Sequence, residues 1–349
     1  MTNPRRHLVR TVAVCTLALP ALLMAGCHTS APTTGGGGST GGGTASGGGG
    51  TPPPLTKKAH YVVGFSQVVS NNPWRIAETN SMKAEAAKRG DKLIFTDATD
   101  SEAKQIADVT SMVAQHVDLI FLAPKSEKPL AQAVLKAKAA NIPVILLDRR
   151  VDAAMAKPGA DYVTFIGSDF VDQGKRAGQW LVKATGGKAK IIELEGTAGS
   201  SPAIDRKKGF DDVVTGQPGM QIIASQPADF ARDKGRQVTE TLLQAHPDVT
   251  VVYAHNDEMA LGAISALEAA GKKPGKDVLV VSIDGERDGL QAIADGKLNY
   301  DVQSSPFFGP VAFGALDSYA GGQKVPAGIV VHDKAYDAAN ARQEIASSY

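Results

Sequence analysis

Little in this sequence favours chemistry by thiols, aromatic clusters or strong charge. Of its 349 residues only 5% are aromatic and two are cysteine, and 37 Lys and Arg stand against 36 Asp and Glu for a formal charge of +1. Two cysteines exclude a disulfide scaffold. A near-neutral chain lacks the basic excess of a nucleic-acid-binding surface, which argues against nucleic acid as a partner. The apolar run at 11–23 (TVAVCTLALPALL) is shorter than the roughly 20 residues a spanning helix needs. What remains is 43% hydrophobic, too apolar for a wholly disordered chain, over a length that suits one large or two ordinary domains.

Composition changes sharply along the chain, so residues 1–58 are read apart from the rest. Arg5, Arg6 and Arg10 with no acid, followed by a short apolar run and small residues, make a secretory signal that is no part of the fold. The run ends in Met24-Ala25-Gly26-Cys27, which resembles the lipobox of bacterial lipoproteins with Met24 in place of the commoner Leu. On that reading residues 1–26 are a lipoprotein signal peptide and Cys27 carries a lipid anchor to a membrane; the alternative is an ordinary cleaved signal in which Cys27 is incidental. Cleavage would remove three Arg and Cys15, leaving a slightly acidic chain with no thiol but Cys27. Residues 27–58, with 11 glycines between 35 and 50, are mostly Gly, Ser, Thr and Pro and are not expected to bury a core. A flexible Gly-rich coil of this length spans about 30 Å, so the segment is expected to be a tether, stiffened at its end by Pro52, Pro53 and Pro54.

From Tyr61 onward one unit repeats: a short β-branched run, a polar turn, then 12 to 18 residues of helical period. The runs fall at 61–65, 92–95, 117–123, 143–148, 162–167, 189–196, 220–225, 249–254, 278–284 and 298–303. This alternation predicts an α/β protein whose parallel strands are covered by helices on both faces. Ten strands exceed one compact sheet, so two doubly wound lobes are expected, with ligand at the carboxyl ends of the strands. Those ends carry Gln67, Asn71-Asn72-Pro73-Trp74-Arg75, Asp148-Arg149, Glu195, Asp229-Phe230-Ala231-Arg232, Asn256-Asp257, Asp284 and Gln303.

Amides, carboxylates and guanidinium forks satisfy adjacent hydroxyls that both donate and accept, and aromatic faces cover C–H surface. Asp148, Arg149, Arg206, Asn256, Asp284 and Gln303 with Trp74 and Phe230 therefore form an inventory suited to a sugar. Individually each has a plainer role: Asn72-Pro73 and Asn256 are good helix starts, Asp148 can pair or cap, and Trp74 or Phe230 can be core. Their joint placement at strand ends favours the ligand reading. The folded part has no glycine-rich phosphate turn, no G-x-S-x-G elbow and no H-E-x-x-H, and its histidines lack ligand spacing, so no metal, cofactor or catalytic residue is expected.

The stretch from about 61 to 335 resembles the type I periplasmic sugar-binding proteins of ABC importers, in particular the ribose-binding and galactofuranose-binding branches. The resemblance rests on NNPWR at 71–75, PVILLDR at 143–149, ELEGTAGSSPAIDRKKGF at 193–210, SQPADF at 225–230, AHPDV at 245–249, HNDEMALGA at 255–263, SIDG at 282–285 and DVQ at 301–303. It implies two Rossmann-like lobes joined by a three-segment hinge, crossed near 168, 303 and 332. Lobe 1 would comprise 59–168 and 304–332, and lobe 2 would comprise 169–303 and 333–349. It also implies sugar contacts at Asn72, Trp74, Arg75, Asp148, Arg149, Arg206, Phe230, Asn256, Asp284 and Gln303.

WRIAE at 74–78 looks like the galactofuranose branch, because ribose binders usually carry a second aromatic where Arg75 stands; NNP and SQPADF look more ribose-like. The implied function is a non-enzymatic, exported, membrane-anchored receptor that delivers a monosaccharide to an ABC permease and its ATPase subunits. A chemosensory or sensor-kinase protein is a further possible partner. Two other classes stand against this one. A repressor built on such lobes would need a helix-turn-helix and no export signal, and a sugar-processing enzyme would use Asp148 and Asp284 as paired carboxylates.

Overall fold

The computed structural model describes residues 50–349. The expected signal peptide, Cys27 and the first part of the expected tether lie outside the described residues.

The ten β-branched runs all form strands. In chain order the elements are β1 (Val62–Gln67), α1 (Pro73–Arg89), β2 (Lys92–Asp97), α2 (Glu102–Ala114), β3 (Leu119–Leu122), α3 (Glu127–Ala139), β4 (Val144–Leu147) and β5 (Thr164–Gly167). They continue with α4 (Phe170–Thr185), β6 (Lys188–Glu195), α5 (Ser201–Val214), β7 (Gly219–Pro227), α6 (Arg232–Ala245), β8 (Val251–Ala254), α7 (Asp257–Ala269), β9 (Leu279–Asp284), α8 (Arg287–Ala294) and β10 (Tyr300–Gln303). The last are α9 (Gly309–Ala320), β11 (Gly328–Val330), β12 (Ala335–Tyr336) and α10 (Ala341–Glu344).

These build two six-stranded sheets, ordered β11-β5-β4-β3-β1-β2 and β12-β10-β9-β8-β6-β7. Every pairing is parallel except β10 with β12, which is antiparallel. In each sheet the order reverses beside the first strand of its lobe, leaving a crevice at the carboxyl ends. Buried apolar clusters lie on both faces of each sheet, as parallel strands require. The chain passes between lobes three times: from β5 into α4, from β10 through Ser304–Phe308 into α9, and from β11 to β12.

Two local features bear on the site. Asn72 caps α1 by accepting the Arg75 N–H at 2.9 Å, with Pro73 at the first helical position, so the Trp74-Arg75 pair opens the helix. In lobe 2, α4 and α5 approach backbone to backbone. A Cβ on Gly174 would stand 2.2 Å from the Arg206 carbonyl, and one on Gly209 would stand 2.1 Å from that of Val171. Glycine at both positions lets α5 sit close enough to aim Arg206 into the crevice. At the other end of lobe 1, Pro52 and Pro53 are buried, their carbonyls accepting the Tyr319 hydroxyl at 3.0 and 2.9 Å, and Leu55 packs on the core. The described end of the tether segment thus lies against α9.

Candidate functional site

A cleft of about 240 Å³ opens between the lobes at the carboxyl ends of the strands. Of the ten sugar contacts expected from sequence, it is lined by Asn72, Trp74, Arg75, Asp148, Arg149, Arg206, Phe230, Asn256 and Asp284. Gln303 does not line it. Its side-chain oxygen instead accepts the Lys334 N–H at 3.1 Å, which ties β10 to the last interlobe crossing.

On the lobe 1 side, the Trp74 indole N–H donates to the Ser304 carbonyl at 2.7 Å, and the ring meets Phe308 edge-on at 5.9 Å. The Arg75 guanidinium lies 4.6 Å from that indole ring. Its Nη1 donates to Glu78 at 2.9 Å and its Nη2 to Asp148 at 2.5 Å. Gln67 at the end of β1 donates to the same Glu78 oxygen at 2.7 Å. Arg149 donates from Nη1 to the Lys125 carbonyl at 3.1 Å, while its buried Nε has no hydrogen-bond partner. Its guanidinium reaches across to within 5.5 Å of the Phe230 ring of lobe 2.

On the lobe 2 side, Arg206 is held three ways: to the Gln173 side chain at 2.9 Å, to the His255 carbonyl at 2.5 Å and to Asp284 at 3.3 Å. Asn256 caps α7 through its side-chain oxygen, which accepts the Met259 N–H at 3.0 Å, and its amide reaches the Phe230 carbonyl at 3.4 Å. Asn72 and Asn256 thus each cap a helix and line the cleft. Asp148, Asp229 and Phe230 all have left-handed φ near +55 to +60°, and Asp284 has φ 145°. Backbone strain at non-glycine residues gathers at ligand sites, where the surroundings hold it.

Burial sets the electrostatics. Desolvation pushes Glu78 up to about 7 against the pull of Arg75. It raises the Asp284 carboxyl well above the carboxylate range despite Arg206. Desolvation, with Arg75 close by, brings Arg149 down to about 9. Burial opposes the charge of Arg75 itself, but Asp148 and Glu78 outweigh it and raise its pKa.

Residues absent from the sequence inventory also take part. Asp100 and Thr197 line the cleft, and Glu78 stands behind Arg75. Asp100 follows the end of β2, so the strand-end rule reaches it; Glu78 was discoverable only as the i+3 partner of Arg75. The lobes also touch outside the cleft: the Arg150 N–H donates to Ser201 at 2.8 Å, the Arg150 guanidinium pairs with Asp205, and the Glu127 N–H donates to the Gly199 carbonyl at 3.1 Å. Among the described residues no group of His, Cys, Asp and Glu is arranged to hold a metal ion, and no helix is long and apolar enough to cross a membrane. Forked cations, carboxylates and amides facing two aromatic rings can hydrogen-bond adjacent hydroxyls and cover a C–H face.

Comparison with known proteins agrees with this chemistry. The model of the periplasmic binding protein domain matches residues 63–324. The galactofuranose-binding protein YtfQ of Escherichia coli K12 is 46% identical over 265 residues, covering 75% of this chain and 82% of that one. The ribose import binding protein RbsB of the same strain is 40% identical over 258 residues, covering 74% and 84%. The periplasmic binding component of the arabinose ABC transporter from Shewanella sp. ANA-3, solved with α- and β-L-arabinofuranose, superposes with a TM-score of 0.77 at 41% identity, covering 82% of this chain and 95% of that one.

Proposed function

The chain belongs to the periplasmic binding protein family, as a type I sugar-binding member, and from that premise we propose that it binds a hexose in furanose form between its lobes and delivers it to an ABC permease and its ATPase subunits. The observation that carries the choice of sugar is the Arg75 fork: it lies 4.6 Å from the Trp74 ring and 2.5 Å from Asp148. A cationic fork at this position replaces a stacking face with directed donors, which suits the extra hydroxyls of a hexose better than the smaller ribose. Furanose ligands named for YtfQ and for the Shewanella protein support the ring form. The exported protein is held to a membrane through lipid on Cys27, and the Gly-rich segment after it gives the lobes their reach. No catalytic step is assigned: Asp148 is engaged by Arg75 and Asp284 by Arg206.

The test is calorimetric titration of the mature protein with galactose, L-arabinose, ribose and fructose, together with a methyl galactofuranoside. A useful receptor binds its sugar at micromolar Kd or tighter, about −8 kcal/mol. Galactofuranoside binding well ahead of ribose is the expected result, and the absence of binding by every sugar would reject the receptor reading. Growth of the producing cell with labelled fatty acid, and its loss on Cys27→Ser, tests the anchor.

A further inference from the structure

Tyr349 lies half-buried at the seam where β9 and the crossing after β10 meet. Its hydroxyl donates to the main-chain carbonyl of Asp284 at 3.0 Å and stands 3.5 Å from that of Ser304. Other donors converge on the same two carbonyls. The Ser304 N–H donates to Asp284 at 2.9 Å, and the Trp74 indole N–H donates to Ser304 at 2.7 Å. One continuous hydrogen-bonded chain therefore runs from the lobe 1 indole, through the interlobe crossing, to the main chain of the lobe 2 acid, with the Tyr349 hydroxyl at its far end.

Two features make that end consequential. Asp284 has φ 145°, a conformation that a non-glycine residue keeps only where its surroundings hold it. Tyr349 is itself anchored: its carbonyl accepts the Arg287 N–H at 3.0 Å at the start of α8, and its ring meets Phe307 edge-on at 6.0 Å. Burial, with Asp284 and Glu286 near, pushes the phenol well above its ordinary pKa and keeps the hydroxyl a donor.

We propose that Tyr349 is a positioning residue for the sugar site: its hydroxyl holds Asp284 and the Ser304 crossing in the geometry that presents the Asp284 carboxyl and the Trp74 indole to one ligand. The proposal rests on the reading of the cleft as a sugar site. Tyr349 does not line the cleft, so it acts on affinity only through these two groups.

Tyr349→Phe keeps the ring and its contact with Phe307 and deletes only the hydroxyl. It is made in the full mature chain carrying Trp180→Phe, which leaves Trp74 as the sole indole of the chain's two. Galactofuranoside, arabinose and ribose are titrated by calorimetry, and the emission and acrylamide quenching of Trp74 are measured without ligand. Losing one neutral hydrogen bond predicts binding weaker by about fivefold, with Trp74 emission shifted to the red and more easily quenched. Tyr319→Phe is the comparator, since its hydroxyl serves Pro52 and Pro53 and it should change neither readout. Unchanged affinity and unchanged emission in Tyr349→Phe would overturn the proposal, as would an equal affinity loss in Tyr319→Phe. Should no sugar bind the parent, the sugar reading falls, and the ligand-free Trp74 signal alone decides the role of Tyr349.

Discussion

Arg75 and Asp148 form a buried ion pair, 2.5 Å between Nη2 and Oδ2, that lines the cleft and joins the first turn of α1 to the end of β4. Both partners thus present charge to a ligand while satisfying each other. Removing one member of a buried pair leaves the other uncompensated, at about 3–5 kcal/mol.

Arg75→Phe should therefore weaken galactofuranoside binding by more than tenfold while sparing or improving ribose, because a ring restores a stacking face and removes donors. The melting temperature should fall as Asp148 loses its closest cation. Calorimetric titration of both sugars checks the exchange, and equal losses for the two would remove the basis for preferring a hexose.

Glu78 gives a prediction with a definite sign. Burial raises its carboxyl to about 7 in the fold, above the ordinary value near 4.5. The folded state therefore holds a proton that the unfolded state has released, and this contribution to stability is complete below pH 4.5 and lost as pH rises through about 7. Glu78→Gln keeps the side chain's shape and removes the titration. Relative to the wild type it should become more stable between pH 5 and 8, by an amount on the order of 1–3 kcal/mol. Asp301, also raised to about 7 by burial, and Asp257 titrate in the same sense in both proteins, so the difference between the two melting curves isolates Glu78. Parallel curves across that range would contradict the assignment.

What the sequence revealed, and what it did not, follows from how local each signal is. The first ten strands were legible because continuous β-branched runs between helical stretches have one economical arrangement, a parallel sheet covered on both faces. β11 and β12, of three and two residues, carry no such signal, and their pairing is decided by where the interlobe crossings run. The antiparallel β12 was invisible for the same reason. Strand-end residues located the cleft, but Gln303 does not line it, its side-chain oxygen being taken by the Lys334 N–H. Glu78 carries no sequence signal of its burial, because its partner Gln67 arrives from β1. Pro52 and Pro53 read as tether, since only the Tyr319 hydroxyl on α9 gives them a partner.

Gly196 controls the pose of Phe230. A Cβ at Gly196 would stand 1.9 Å from the Phe230 ring, closer than any real contact, and Phe230 already has φ 59°. Gly196→Ala should displace the ring from the cleft and lower sugar affinity by at least tenfold. Pairing it with Phe230→Ala makes the expectation sharper: once the ring is gone, the added methyl should cost little further affinity. Additive losses in the double variant would mean that Gly196 acts elsewhere.

Arg150 should set how firmly the lobes close without touching the ligand. It follows the cleft residues Asp148 and Arg149 yet does not line the cleft; instead its guanidinium pairs with Asp205 of α5 and its N–H donates to Ser201. Both contacts cross from lobe 1 to lobe 2, so they exist only while the lobes are together. The ion pair is partly exposed, at 35% and 19% for the two side chains, which limits it to about 0.2–1 kcal/mol and makes it salt-sensitive. Arg150→Ala should accordingly weaken every sugar by the same factor, up to about fivefold. The loss should appear mainly as faster dissociation, because the contact must break for the cleft to open. Stopped-flow tryptophan fluorescence at low and high salt measures this directly: the gap between wild type and variant should narrow as salt rises, and Asp205→Ala should reproduce it with no further loss in the double variant. A loss confined to one sugar would instead place Arg150 in contact with the ligand.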